Sequence, residues 1–247
     1  MFTFSALMSN SSGYKNKNLP EKWSVLENLY DQNIKPKGEQ KIPKIIHQIW
    51  LGDAIPNELY DLMDSVKKAN PGYEYHLWTD IEADDFQFKN KELFKSCKNL
   101  GQKSDILRYA ILEKFGGIYL DTDFIGIKSF DELLHLDFFT GVAYDQEPTL
   151  FNGLIGCIPN HELIKNLNDI QEVRDGDGME VIKTTGPWYL TKKLFRKISN
   201  LNNIVVLPVS YFYPYPNFDR DRTNGDDHMK YTTIKTICVH LWNSRWN

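Results

Sequence analysis

The sequence predicts an α/β fold with a mixed central sheet, and three observations carry that prediction. Residues 45–78 read strand, helix, strand in close succession, the signature of a βαβ unit with parallel strands. Residues 103–120 read as a helix that stops at Gly116–Gly117 and passes into a short buried strand. The rest of the chain mostly alternates helical and extended patterns. At 247 residues, 41% of them hydrophobic, it can bury one substantial core.

Residues 1–19 are rich in Ser, Asn, Lys and Gly and are expected to be loosely ordered. From Pro20 to Asp31, Trp23, Leu26, Leu29 and Tyr30 recur at helical spacing behind a proline, which predicts a short amphipathic helix. Residues 35–40 are a Pro/Gly/Lys linker. Ile45–Leu51 is a β-rich run closed by Gly52. Asn57–Ala69 carries Leu59, Leu62, Met63 and Val66 at helical period and is stopped by Asn70-Pro71-Gly72. Tyr73–Trp78 alternates as a strand. Lys103–Phe115 has Ile106, Leu107, Ala110, Ile111 and Phe115 along one face.

Beyond the central helix and strand, extended segments are expected at Phe124–Ile127, Phe138–Tyr144, Leu150–Cys157, Ile204–Pro208 and Thr233–Leu241. Helices are expected over His161–Val173 and Trp188–Ile198, a turn at Asp175–Gly178, and an aromatic, proline-punctuated loop over Tyr211–Phe218.

A net charge of -4 argues against nucleic acid as the main partner, which would call for a basic face. Cys97, Cys157 and Cys238 are widely separated and form no CxxC pair, which argues against a disulfide framework or a zinc site and fits a reducing, cytoplasmic compartment. No apolar run approaches the roughly 18 residues needed to span a bilayer, so any membrane association is expected to be peripheral. Aromatic residues make up 13% of the chain, enough to supply stacking surfaces for ring-shaped ligands.

The chemistry concentrates at Glu113–Phe124, EKFGGIYLDTDF. In extended backbone, residues two apart point the same way, so Asp121 and Asp123 would aim two carboxylates at one spot. Their repulsion is usually relieved by a divalent cation, which could in turn hold a phosphate-bearing substrate. Three other readings compete. A calcium loop starting at Asp121 would match at Asp123, Gly126 and Glu132, but it has Ile125 at the fifth position and a strand where a helix should precede. A haloacid-dehalogenase phosphatase would use Asp121 as nucleophile, yet it places the motif on its first strand. The plainest reading is two solvated carboxylates at a strand end. The helix just upstream favours the substrate site, because Asp105 and Arg108 are three apart and share a face that runs into the aspartate strand. Arg108 would sit near phosphate, and Asp105 would accept hydrogen bonds from sugar hydroxyls.

The stretch SDILRYAILEKFGGIYLDTDF, together with IPKIIHQIWLG near the start and VHLWNSRW at the end, resembles glycosyltransferase family 32. The first two also look like the donor-site motifs of the large clostridial glucosylating toxins. The resemblance implies a GT-A-type, Rossmann-like catalytic domain over residues 41–247, with residues 1–40 an N-terminal extension. It further implies a UDP- or GDP-sugar donor, a divalent metal (Mn2+, or Mg2+), and transfer of a hexose with retention to a glycan, lipid-linked or protein acceptor. By the same resemblance Asp121 and Asp123 contact donor and metal, and Asp105 and Arg108 bind the sugar and diphosphate with Ser104 and Tyr119 beside them. Trp50 is implied against the base, Asn152 near the donor sugar, and His240 as a third metal ligand, with Trp242, Ser244 and Trp246 closing the site. Acceptor contacts are expected from Tyr211–Asp227.

Overall fold

In the computed structural model, which describes residues 3–9, 23–36, 38–144, 148–171, 173, 178–217 and 228–243, two short helices, α1 (Phe4–Ser9) and α2 (Ser24–Asn33), precede the sheet. β1 (Ile45–Ile49), α3 (Asn57–Ala69) and β2 (Glu74–Trp78) form the expected βαβ unit, with β1 and β2 parallel from Ile45↔Glu74 to Ile49↔Trp78. Helices α4 (Asp80–Asp85) and α5 (Lys91–Ser96) lead into α6 (Leu100–Phe115) and β3 (Gly117–Leu120). The chain continues through β4 (Phe124–Gly126), β5 (Phe138–Tyr144), β6 (Pro148–Cys157), α7 (Glu162–Leu167), α8 (Gly178–Thr184), α9 (Pro187–Lys197), β7 (Ile204–Leu207), α10 (Val209–Phe212) and β8 (Cys238–His240).

Six strands form one sheet in the order β2-β1-β3-β6-β5-β7. β1 is parallel to β2 and β3, β6 is antiparallel to β3 and β5, and β7 is parallel to β5, so the sheet is mixed, as expected. From β1 the chain winds outward to β2 and then returns to the other side of β1 as β3. The carboxyl ends of β1 and β3 therefore border a topological switch point, the place where open α/β sheets bind ligands. A second, two-stranded antiparallel ribbon of β4 and β8 stands beside that edge.

The central helix α6 is buried at every residue from Ser104 to Leu112, including its charged ones. It ends because Gly116 and Gly117 take φ of 63° and 84°, values that disfavour any side chain. A Cβ on Gly116 would lie 2.6 Å from Pro159 N, and one on Gly117 2.7 Å from Ile45 O. The turn thus lets β3 start tight against β1. His47 fixes the same junction. Burial lowers its pKa to about 3, leaving the ring neutral. Trp78 Nε1 donates to its Nδ1 at 3.2 Å, so its Nε2–H donates to Gly116 O at 3.1 Å.

Several expectations need correcting. Within residues 1–19, expected to be loose, residues 4–9 are helical, and Phe4, Leu7 and Met8 join the same core as Trp23, Leu26 and Tyr30 of the next helix. The helix expected to reach Val173 ends at Leu167, where Asn168 is held by Asn90 and Glu113 instead. Gly178 starts a helix rather than closing a turn; Asp175 to Asp177 lie outside the described residues. The final strand is confined to Cys238–His240, since Thr233 to Thr236 close a hydrogen-bonded turn. The segment after the aspartates leaves the main sheet for the ribbon. Tyr211, Phe212, Tyr213 and Tyr215 are core residues rather than a surface for stacking sugars, and Tyr211 shares a buried 2.8 Å hydroxyl contact with Tyr30. Residues 218–227 of that expected acceptor loop lie outside the described residues. Among the described residues no helix is long and apolar enough to cross a membrane, and all three cysteines are buried and outside any disulfide.

Candidate active site

The aspartates follow β3 at the switch point, but not in extended backbone: residues 122–123 form a turn between β3 and β4. Their carboxylates still converge, because the turn is pinned on both sides. Asp121 N donates to Gly153 O at 2.9 Å, and Gln48 donates from Nε2 to Asp121 O at 3.0 Å and accepts at Oε1 from Tyr75 Oη at 2.6 Å. On the other side Leu241 N donates to Asp123 O at 3.0 Å, and Asn243 N to Asp123 Oδ2 at 2.8 Å. Pairing of Phe124 with His240 across the ribbon sets the imidazole beside Asp123.

Arg108 is the hub of the inner half of the site, 2% exposed on α6. Its guanidinium lies 3.3 Å from Asp105 Oδ1 and 3.4 Å from Asp121 Oδ1, donates to Asn152 O at 2.6 Å and Ser104 O at 3.3 Å, and rests on the Tyr119 ring at 4.4 Å. Tyr119 Oη donates to Asp121 Oδ1 at 2.6 Å. Asp105 accepts from Asn152 Nδ2 at 2.7 Å and from Thr185 Oγ1 at 2.8 Å. Tyr109 Oη joins through Thr185 O at 2.6 Å. Burial pushes the Asp105 carboxyl up to about 6, against the opposing pull of Arg108, Thr185 and Asn152. Burial would raise Asp121 too, but Arg108, His240 and Tyr119 outweigh it and hold that carboxyl below its ordinary value.

The outer half is Asp121, Asp123 and His240, each offering one ligand atom within 4.8 Å of the others. His240 Nε2 stands 3.1 Å from Asp123 Oδ1 and 3.8 Å from Asp121 Oδ2, yet both ring nitrogens are buried and neither makes a hydrogen bond. Burial disfavours the imidazolium, but Asp123 and Asp121 overcome it and raise the pKa to about 9. The ring is wedged among Trp242 at 4.3 Å, Phe124 at 4.6 Å and Tyr213 at 5.7 Å. A buried nitrogen aimed at two converging carboxylates is a donor set that suits a divalent cation.

Asp105, Arg108, Tyr119, Asp121 and Asn152 thus meet in one network, Ser104 joins by its carbonyl, and Asp123 and His240 join through Asp121. Trp50 follows β1 at the same end of the sheet, half-exposed, with Nε1 donating to Asp53 O at 2.7 Å. Among the described residues no hydrogen bond or ion pair ties it to that network. Ser244 and Trp246 lie outside the described residues. Sequence reasoning missed Gln48, Tyr109, Gly153 and Thr185. A Cβ on Gly153 would fall 2.6 Å from Asp121 Oδ2, so this glycine makes room for the carboxylate.

Comparison with known proteins points to one family. The family described as the glycosyltransferase sugar-binding region containing a DXD motif matches residues 56–139. An uncharacterised glycosyltransferase of Acanthamoeba polyphaga mimivirus is 32% identical over 222 residues, covering 83% of this chain and 84% of that protein. Inositol phosphoceramide mannosyltransferase 3 of Schizosaccharomyces pombe is 30% identical over 174 residues, 67% of this chain; the chain spans only about half (48%) of that protein's length. Among solved structures, the PaToxG glycosyltransferase superposes with a TM-score of 0.52 at 23% identity, covering 73% of this chain and 80% of that one. The fold is of the GT-A type.

Proposed function

The chain belongs to the glycosyltransferases whose sugar-binding region contains a DXD motif, and from that premise we propose that it moves a hexose, with retention, from a UDP- or GDP-sugar to a hydroxyl of a glycan, lipid-linked or protein acceptor. The observation that carries this reading is the buried Arg108, set between Asp105 and Asp121 next to the Asp123–His240 corner. A sugar nucleotide needs both features: positive charge and a cation for its diphosphate, and hydrogen-bond acceptors for its sugar.

In this reading Asp123 and His240, with Asp121, would hold a divalent metal. An imidazole ligand favours manganese over magnesium, which prefers oxygen ligands and keeps its water. Bound there, the metal supplies Lewis-acid stabilisation of the charge developing on the leaving diphosphate. Arg108 adds a fixed positive charge that burial keeps unscreened, and it needs no reorganisation because its partners already orient it. Asp105, ionised at neutral pH with its pKa of about 6, accepts hydrogen bonds from sugar hydroxyls and so fixes the sugar. Trp50 packs against the base, and Asn152 flanks the donor. Retention is assigned to attack from the face of the leaving group, since Asp105 and Asp121 already accept bonds from Asn152, Thr185 and Tyr119 that a nucleophile would have to shed.

The test is hydrolysis of a panel of UDP- and GDP-sugars in manganese or in chelator. Wild type is expected to turn over at least one donor only with metal, and Asp123→Asn to lose that turnover by at least about a hundredfold. Turnover of no donor, or full turnover by Asp123→Asn, would sink the proposal.

A further inference from the structure

Helix α9 carries more positive charge than its surroundings use. Residues 181–217 hold Lys183, Lys192, Lys193, Arg196 and Lys197 and no Asp or Glu, although acids outnumber bases 33 to 29 over the whole chain. Three of the five have partners. Lys183 lies 3.7 Å from Glu180, Lys197 lies 3.3 Å from Glu162, and Lys193 Nζ donates to Asn166 O at 3.1 Å. Lys192 and Arg196 are exposed, and among the described residues no ion pair or hydrogen bond engages either side chain.

The helix sorts these side chains by face. Leu190 and Leu194 are fully buried and turn inward, while Trp188, Lys192 and Arg196, four apart, form one exposed row on the opposite side. Trp188 is 49% exposed, whereas indoles are highly buried on average. The helix is held from within: Leu150 N donates to Thr191 Oγ1 at 3.0 Å, and Tyr189 Oη donates to Leu167 O at 3.1 Å. The row is therefore a fixed surface, with an indole at one end and two cations spread over the next two turns, about 12 Å in all.

We infer that this face of α9 docks on a lipid bilayer with anionic headgroups. An indole suits the headgroup level, where its ring meets apolar chains and its N–H stays wet, and the Lys and Arg beside it gain from the negative surface. The combination favours a membrane over an acidic polypeptide, which would answer the two cations but not the indole. Docking there also brings the active site close to the lipid. Trp188 follows Thr185, the partner of Asp105, by three residues, at most about 10 Å of chain. The inference stands apart from the sugar-nucleotide reading, since none of these three side chains belongs to the donor network.

The test is co-sedimentation of the full chain with vesicles of phosphatidylcholine alone or mixed with phosphatidylserine, at low and at high salt. Wild type is expected to bind the mixed vesicles, to bind the neutral ones several-fold less, and to be released from the mixed ones by salt. Lys192→Ala combined with Arg196→Ala should weaken binding about thirtyfold, at roughly fivefold per charge, and Trp188→Ala about fivefold. Tm should stay near the wild-type value in each variant, because all three side chains are exposed. A wild type that ignores the mixed vesicles, equal binding to both kinds, or variants that bind like wild type would each overturn the inference. So would charge-sensitive binding to poly-glutamate in place of vesicles, which would give the face to an acidic protein. Donor hydrolysis without vesicles should match wild type in every variant; a parallel loss there would mean that α9 acts on the site rather than on a membrane, and would also overturn it.

Discussion

Around Arg108 every charged group finds hydrogen-bonded partners within the protein, whereas His240 has only ion-pair contacts from Nε2 to Asp123 and Asp121 and a buried Nδ1 with no hydrogen bond. Both regions are anchored by the same turn after β3, and Asp121 belongs to both. The inner region draws its partners from α6, β3, β6 and the residue after α8, so its geometry exists before any ligand arrives. The outer region draws on a two-stranded ribbon and places two carboxylates against one imidazole. The contrast fits a division of labour in which the chain pre-builds the part that orients the donor and leaves the other corner to be completed by an ion.

Breaking the inner region should be the more damaging to the fold. Arg108→Ala leaves the buried Asp105 carboxylate without its cation and takes one from the part-buried Asp121, and is expected to lose about 3–5 kcal/mol in urea unfolding. His240→Ala, in chelator, should lose clearly less; equal losses would erase the distinction between the two regions. Next in size, Gly153→Ala puts a methyl 2.6 Å from Asp121 Oδ2. It should cost about 1–3 kcal/mol and lower donor turnover together. Full activity in that variant would mean that Asp121 need not stay where it is.

The smallest effect is a pair of opposite pH slopes. Asp105 is raised to about 6 in the fold, so its contribution is fully present below its unfolded value near 3.8 and fades as pH rises through 6. Asp121 is lowered, so its contribution is present above that value and fades as pH falls through its folded pKa. Relative to wild type, Asp105→Asn should therefore look worse at pH 4 than at pH 7, and Asp121→Asn the reverse, when Tm is followed across that range. Parallel slopes would contradict the assigned surroundings.

What was legible in the sequence tracks how local each signal is. The strand–helix–strand start, α6 and its glycine stop depend on neighbours, and they stand where the pattern put them. The Asp105–Arg108 pair was readable for the same reason, as residues one helical turn apart. Helix α4 was equally local, since Thr79 and Glu82 form a capping box, but a six-residue helix offers too little periodicity to be noticed. Partners from distant segments left no such trace. Thr185 reaches Asp105 across 80 residues, Gln48 reaches Asp121 across 73, and Gly153 matters only because Asp121 folds against it. The aromatic run at Tyr211–Tyr215 misled for a related reason: composition shows stacking capacity but not whether the rings face the core or solvent. Asn152 and His240 came from family resemblance alone, and the fold supplies their physical setting.

The most direct test of the contrast is calorimetric binding of UDP and of GDP in manganese or in chelator, for wild type and His240→Ala. At least one diphosphate should bind wild type with metal, at least about tenfold more weakly in chelator, and His240→Ala should lose most of that metal-dependent gain. Equal affinity in chelator, or an unaltered metal response in His240→Ala, would contradict the account of an outer corner completed by an ion.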